Sequence, residues 1–381
     1  MGCIELSDRS KHHNKGVKSL IPIAEPTLGQ EELKNVTKAV KSGWISSQGE
    51  FIKEFEDKFA EYCGCDYGVA TSSGTSALHL ALVAMGIKNG DEVIIPVSTF
   101  ISTANVVRYC NAKPVFVDSY PSCWCIDPRQ IEEKLTDKTK LLLPVHLYGH
   151  PADMKGLKDV QIKYGLDMVE DCAEAHGAEF KGLKVGQFGK VGCFSFFGNK
   201  IITTGEGGMC VTNDEKCYDK MKLLRDHGAC LSKRYWHEVI GFNYRMTNLQ
   251  AAIGLAQLKK LDIFLRNRRQ IAKVYDDGLK EIVHLVKPKE RDWAKHAYWM
   301  YTILVEEPVE LANYLKEKDV DTRPFFYPLN QMPPYKDNEK YPIAELASKH
   351  GLSLPTYSHI EKEKIDYICG VIKDFYNGGR K

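Results

Sequence analysis

The chain has 381 residues, 43% of them hydrophobic and 27% charged, enough apolar material for one large domain and a smaller one. Lys and Arg (52) nearly balance Asp and Glu (50), for a formal net charge of +2, so there is no basic field of the kind that grips nucleic acid or an anionic membrane. No stretch approaches the roughly 20 apolar residues of a membrane-spanning helix.

Residues 1–20, MGCIELSDRSKHHNKGVKSL, lack the apolar centre of a signal peptide. They are expected to form a polar, flexible tail on a cytoplasmic protein. Leu6 stands where a myristoylation pattern beginning at Gly2 requires Ser or Thr. The twelve cysteines are scattered, and Cys172, Cys193 and Cys210 fall inside apolar runs. Cys63/Cys65 and Cys123/Cys125 are C-x-C pairs with no second pair or histidine at zinc-ligand spacing beside them. Buried thiols in a reducing compartment, and no metal, are the expectation.

Between about residues 67 and 212, short β-branched or apolar runs alternate with helix-like segments. The strand candidates are Tyr67–Thr71, Val93–Pro96, Val115–Asp118, Leu141–His146, Met168–Asp171, Cys193–Phe196 and Met209–Thr212. Ser76–Met85 has helical spacing. Strand, helix and strand in succession predict an α/β fold with a mostly parallel seven-stranded sheet, over residues 21–258. A long helix is expected from Thr247–Asn248, entering a smaller α+β domain at 259–381. That domain is expected to hold strands near Val283–Val286 and Ala297–Val305 and helices at Val309–Lys318 and Ile360–Tyr376. Ligands of such sheets bind at the carboxyl ends of the strands.

Three segments there carry chemistry. Thr71-Ser72-Ser73-Gly74-Thr75-Ser76 ends a strand and opens a helix, and its small residues let the backbone approach an anion at the helix N-terminus. An ordinary capped helix would look the same. Glu170 and Asp171 end an apolar strand; a carboxylate at that tip can hold a pyridine nitrogen protonated, a metal pair or a helix cap being the alternatives. Lys200 follows a buried strand among apolar and small residues, and partial desolvation favours the neutral amine that imine chemistry needs. His146 and His150 are four apart, but Gly149 and Pro151 rule out a regular helix there. Trp293, Trp299 and Tyr301 read as packing.

These segments belong to a longer series: SGTSALHLAL (73–82), GDEVIIP (90–96), KPVFVD (113–118), VHLYGHPADM (145–154), VEDCAEAHGA (169–178), SFFGNK (195–200), TTGEGGM (203–209) and GFNYRMTNLQAAIGLAQL (241–258). In this order they resemble the DegT/DnrJ/EryC1/StrS sugar aminotransferases, fold-type-I enzymes that use pyridoxal 5'-phosphate. The resemblance implies that Lys200 is the Schiff-base lysine and proton shuttle, and that Asp171 is the partner of the pyridine nitrogen. Gly74, Thr75 and Ser195 match the phosphate cradle, Phe100 the aromatic residue on the ring face, and Glu174 a position near the phenolic oxygen where many members carry Gln or His. Asn243 matches a cofactor-binding residue and Arg245 a substrate-binding one, on a loop that reaches the neighbouring subunit's site. A homodimer with shared sites is therefore expected.

Segment 323–335, RPFFYPLNQMPPY, with Phe326 and Tyr327 as substrate contacts, looks most like the branch that aminates GDP-linked 4-keto-6-deoxyhexoses. Asn330 departs from a His frequent in relatives. The implied reaction moves the amino group of L-glutamate to the C4 ketone of such a nucleotide-linked ketosugar. Amination at C3 or C4 of a UDP- or dTDP-linked ketosugar, and a pyridoxal-phosphate-dependent sugar dehydratase or lyase, stand as alternatives.

Overall fold

A computed structural model describes residues 20–230 and 232–378; the expected polar tail, apart from Leu20, lies outside the described residues. Two helices, α1 (Gln30–Ser42) and α2 (Glu50–Cys63), lead into an alternating run. It comprises β1 (Tyr67–Thr71), α3 (Gly74–Ala84), β2 (Glu92–Pro96), α4 (Ser102–Tyr109), β3 (Lys113–Val117), β4 (Thr139–Leu142), α5 (Met154–Tyr164) and β5 (Asp167–Asp171). A short ribbon, β6 (Glu179–Phe180) and β7 (Leu183–Lys184), precedes β8 (Val191–Ser195), β9 (Gly208–Thr212) and α6 (Glu215–Arg225).

Seven of these strands form one sheet in the order β1-β9-β8-β5-β4-β2-β3. Every pair from β8 to β3 is parallel, and β9 runs antiparallel to both neighbours. The sheet is mostly parallel, as expected, and all seven anticipated strands are in it. Its strands are buried on both faces, which is why they read as continuous apolar runs such as EVIIP rather than as an alternation. The two-residue period still divides the side chains. Val93, Ile95 and Val169 join α3 and α4 in one core, whereas Ile94, Met168 and Phe194 face α2 in the other. The expected strand Leu141–His146 stops at Leu142. Pro144 has no N–H to offer a ladder.

The long helix expected from Thr247 is two helices, α7 (Asn248–Leu258) and α8 (Leu261–Gly278). No Gly or Pro marks the break. α7 is buried almost all round, whereas α8 has one apolar face. The turn between them is held by Lys260, whose Nζ lies 2.7 Å from both carboxylate oxygens of Glu32. Beyond it, β10 (Ala294–Lys295) pairs with β6. The smaller sheet follows, with β11 (Tyr301–Leu304), α9 (Pro308–Glu317), β12 (Arg323–Pro324), α10 (Pro342–His350), β13 (Gly351–Leu354) and α11 (Lys362–Tyr376). Its order is β11-β13-β12, antiparallel throughout.

Two expectations here are corrected. Val283–Val286 contributes only a bridge from Val286 to Leu304. Ala297–Val305 shortens to β11, because Ala297 N and Trp299 N donate instead to Gly149 O (2.9 Å) and Tyr148 O (3.0 Å). Those bonds tie the start of the smaller sheet to the loop after β4. Residues 329–344 return to the large sheet. Leu329 N donates to Val97 O (3.0 Å), and the Asp118 carboxylate accepts from Ile343 N and Ala344 N at the start of α10 (3.0 and 2.9 Å).

Candidate active site

Glu170 and Asp171 are consecutive, so their side chains leave β5 on opposite faces. Glu170 turns inward and is saturated: it accepts from Gly186 N (2.9 Å), Phe188 N and Gly189 N (both 2.7 Å), and pairs with His146 Nε2 at 3.0 Å. Asp171 turns to the carboxyl end of the sheet, into a cavity of about 320 Å³. Its Oδ2 accepts from Thr103 Oγ1 (2.8 Å) and its Oδ1 from Ala173 N (3.1 Å). Burial pushes its pKa up, against the pull of these two hydrogen bonds and of the nearby Lys200 and His146. A cation held against this buried carboxylate would relieve that cost.

One wall of the cavity is the N-terminus of α3. Ser73 caps it, with reciprocal bonds between Ser73 Oγ and Ser76 N (3.1 Å) and between Ser76 Oγ and Ser73 N (2.9 Å). Gly74 and Thr75 open the helix, so their N–H groups have no intrahelical acceptor and face the cavity end. Gly74 permits the close approach of β8: a Cβ there would lie 2.6 Å from Ser195 Cβ. Ser195, the last residue of β8, thereby sits beside the helix end, and the three form an anion cradle.

Lys200 lies on the loop between β8 and β9, with only 12% of its side chain exposed. Its Nζ is 3.8 Å from Glu174 Oε1 and 3.8 Å above the Trp299 ring. Burial lowers its pKa, with Arg323 adding to the effect and the carboxylates of Glu174 and Asp171 opposing it. Trp299 also anchors the loop, donating from Nε1 to Asn199 O (2.8 Å). Glu174 is buried, and burial raises its carboxyl to about 7. Its Oε2 accepts from Tyr148 N (2.8 Å). Tyr148 holds a left-handed conformation (φ 54°), uncommon for a bulky residue. Its hydroxyl accepts from Phe326 N (3.1 Å).

The cavity gathers Gly74, Thr75, Phe100, Asp171, Glu174, Ser195, Lys200 and Phe326 from the residues expected to act. Phe100 stands 55% exposed above it, its ring 6.2 Å from that of Phe326. Asn243, Arg245 and Tyr327 do not line it in the single chain. Arg245 is engaged by the Asp226 carboxylate and by Asn243 Oδ1 (2.9 Å), and Tyr327 is 58% exposed.

Of the lining residues not anticipated from the sequence, Trp299 and Arg323 bear most directly on Lys200. Trp299 looked like packing, which it also is, and nothing in its neighbours ties it to Lys200. Arg323, exposed on β12, brings a guanidinium to the cavity with no ion pair among the described residues. Its presence in the quoted segment 323–335 was the available signal.

The donor set suits a phosphorylated, cationic aromatic ring bearing a carbonyl: an anion cradle, a buried carboxylate, an aromatic face and a desolvated amine around one space. The DegT/DnrJ/EryC1/StrS aminotransferase profile matches residues 26–373. GDP-perosamine synthase of Escherichia coli O157:H7 is 46% identical over 361 residues, covering 94% of this chain and 99% of that one. DesV of S. venezuelae, solved with a ketimine intermediate, superposes with a TM-score of 0.87 at 33% identity, covering 91% of this chain and 94% of DesV. The PLP-form of the sugar aminotransferase Spr1654 from Streptococcus pneumoniae gives 0.89 at 27% identity, covering 94% and 99%. The chain therefore belongs to the DegT/DnrJ/EryC1/StrS aminotransferase family, and is a pyridoxal-phosphate-dependent enzyme of that family's α/β fold.

Proposed function

We propose that this enzyme transfers the amino group of L-glutamate to the C4 ketone of a GDP-linked 4-keto-6-deoxyhexose, giving a GDP-perosamine-type product. The observation that carries the reading is the joint presence, in one cavity, of Lys200, Asp171 and the Gly74–Thr75–Ser195 cradle. The GDP-sugar part rests on the near-full-length likeness to GDP-perosamine synthase.

Pyridoxal phosphate supplies a carbonyl that takes up amines and a cationic ring that draws electrons from the carbon beside them. Gly74 N, Thr75 and Ser195 would hold the phosphate at the head of α3. Asp171 would hold a proton on the ring nitrogen, since a buried carboxylate is stabilised by a cation next to it. Phe100 and Glu174 would contact the ring. Lys200 would hold the cofactor covalently through Nζ. As a neutral amine, Nζ would also take the proton from the donor's α-carbon and, in the second half-reaction, deliver one to C4 of the sugar. Burial is what keeps that amine deprotonated enough to act. Arg323 receives a carboxylate of the donor, because its charge is felt at Lys200 and is otherwise uncompensated among the described residues.

Asn243 and Arg245 complete the neighbouring site in a cytoplasmic homodimer. Supporting this, they lie off their own chain's cavity, near a segment with Tyr235 84% and Ile240 94% exposed. Among the described residues no helix is long and apolar enough to cross a membrane.

The test is incubation with L-glutamate and GDP-4-keto-6-deoxy-D-mannose, read by mass spectrometry. Formation of the 4-amino sugar with matching release of 2-oxoglutarate is expected. Turnover of a UDP- or dTDP-ketosugar alone would overturn the GDP assignment.

A further inference from the structure

Cys123 and Cys125 stand apart from any histidine in sequence, but the fold brings His150 to them. The residue between the cysteines, Trp124, has φ 58°. This left-handed step folds a tight hairpin in which Tyr120 N donates to Cys125 O (2.7 Å) and Trp124 N to Tyr120 O (2.9 Å). One ligand atom from each of Cys123, Cys125 and His150 lies within 4.8 Å of the other two. All three residues are buried, at 5%, 1% and 2% exposure. Beside them is a cavity of about 10 Å³, the space of one small atom or water. Its lining includes Cys123, His150, His296 and Met300.

We propose that Cys123, Cys125 and His150 form a structural Zn²⁺ site, with the small cavity holding the fourth ligand. Tetrahedral zinc with Zn–S near 2.3 Å and Zn–N near 2.0 Å sets its ligand atoms roughly 3.5–3.8 Å apart. The observed cluster thus needs to close by about 1.3 Å at most. His150 Nδ1 lies 2.7 Å from Pro151 O, the backbone contact that fixes a ligating histidine's tautomer and turns the ring's lone pair to Nε2. Nε2 accepts a long hydrogen bond from Arg291 N (3.3 Å) and the Cys125 thiol donates to His150 O (3.4 Å), two bonds that zinc would replace.

The second buried cluster with ligand-type side chains, His146, Glu170 and Cys172, makes the contrast. There Glu170 accepts from three N–H groups and pairs with His146, whose Nδ1 accepts from Ala152 N (3.0 Å). Glu170 and His146 thus have no lone pair left for a metal. At the Cys123 cluster, zinc would staple the hairpin after β3 to the loop carrying Tyr148, which holds Glu174 and Phe326. Its role is to stiffen that wall of the active site.

Metal content of the untagged holoenzyme, expressed with added zinc and dialysed against EDTA, tests the site by mass spectrometry of the elements. About one zinc per chain is expected, released by a mercurial that titrates thiols, with a fall in Tm. The double variant Cys123→Ser/Cys125→Ser is expected to lose the metal while keeping the absorbance of bound cofactor. Wild type with less than about a tenth of a zinc per chain would overturn the proposal. So would a double variant that retains its zinc.

Discussion

The cavity has a floor and a mouth, and the two are built differently. The floor residues Asp171, Glu174 and Ser195 are 4%, 3% and 8% exposed, and each sits at or just beyond the end of a central strand. Asp171 is bridged to strands on both sides and Ser195 pairs with Gly208 of β9, and Thr103, Ala173 and Tyr148 fix the two carboxylates. The mouth is formed by Phe100, Arg323 and Phe326, drawn from the loop after β2 and from the smaller sheet. Phe100 is more than half exposed, and Arg323 has no counter-charge among the described residues. The floor is fixed by the fold itself; the mouth stands open to solvent. Chemistry common to a family belongs on the first, and choice of substrate on the second.

The largest effect tests the floor at its reactive atom. Lys200→Ala is expected to cut turnover by at least about 10⁴-fold, since both the covalent attachment and the proton transfer are lost. Single-turnover assays with glutamate, and the loss of the visible absorption of lysine-bound cofactor, are the measurements. Near-wild-type turnover would remove the floor as the seat of catalysis. Next comes Asp171→Asn, which keeps the size and the Thr103 contact but removes the charge. Loss of one preorganised charge of this kind costs about 3–4 kcal/mol in the transition state, or some 10²–10³-fold in kcat. Cofactor should still bind, held by the cradle at α3.

That difference also governs how much was legible in the sequence. Lys200, Asp171 and Gly74 stand out because each interrupts a strand-to-helix or strand-to-turn pattern, a local signal that survives in one dimension. All seven strands of the large sheet were visible for the same reason. The break between α7 and α8 was not, because it rests on Lys260 meeting Glu32 across 228 positions. Nor was the short β11, whose flanking N–H groups bond to Tyr148 and Gly149 rather than to a strand. Trp299 beneath Lys200 and His150 beside Cys125 are further cases. Each is a contact between segments far apart in the chain, for which no periodicity exists.

A smaller effect is expected at the mouth. Arg323→Ala should raise KM for L-glutamate about 10- to 10²-fold while leaving kcat within about 3-fold. This is the pattern of an ion pair made equally in ground and transition states and worth roughly 1.5–3 kcal/mol. If KM for the nucleotide sugar rises instead, Arg323 serves the diphosphate and the donor is held elsewhere. If kcat falls as far as in Asp171→Asn, the division between floor and mouth fails.

The finest test lies at the boundary, where Glu174 belongs to the floor by burial but is tied through Tyr148 to Phe326 at the mouth. In the cofactor-free protein its carboxyl is raised from 4.5 to about 7 by burial. A raised folded pKa means that the folded chain binds the extra proton. Its stabilising contribution is full below about pH 4.5 and is lost as pH rises through 7. The shift, with the opposing pull of Lys200 at 3.8 Å already in it, corresponds to about 3 kcal/mol at most. Glu174→Gln keeps an oxygen for Tyr148 N and removes the titration. Urea midpoints of the apoproteins at pH 5 and pH 8 should therefore show wild type losing stability relative to the variant as pH rises, with the two closest at pH 5. A wild-type advantage that grows toward pH 8 would mean that Glu174 is held ionised by Lys200, as a fixed ion pair rather than a shared proton. The boundary residue would then take its protonation state from the lysine rather than from its burial.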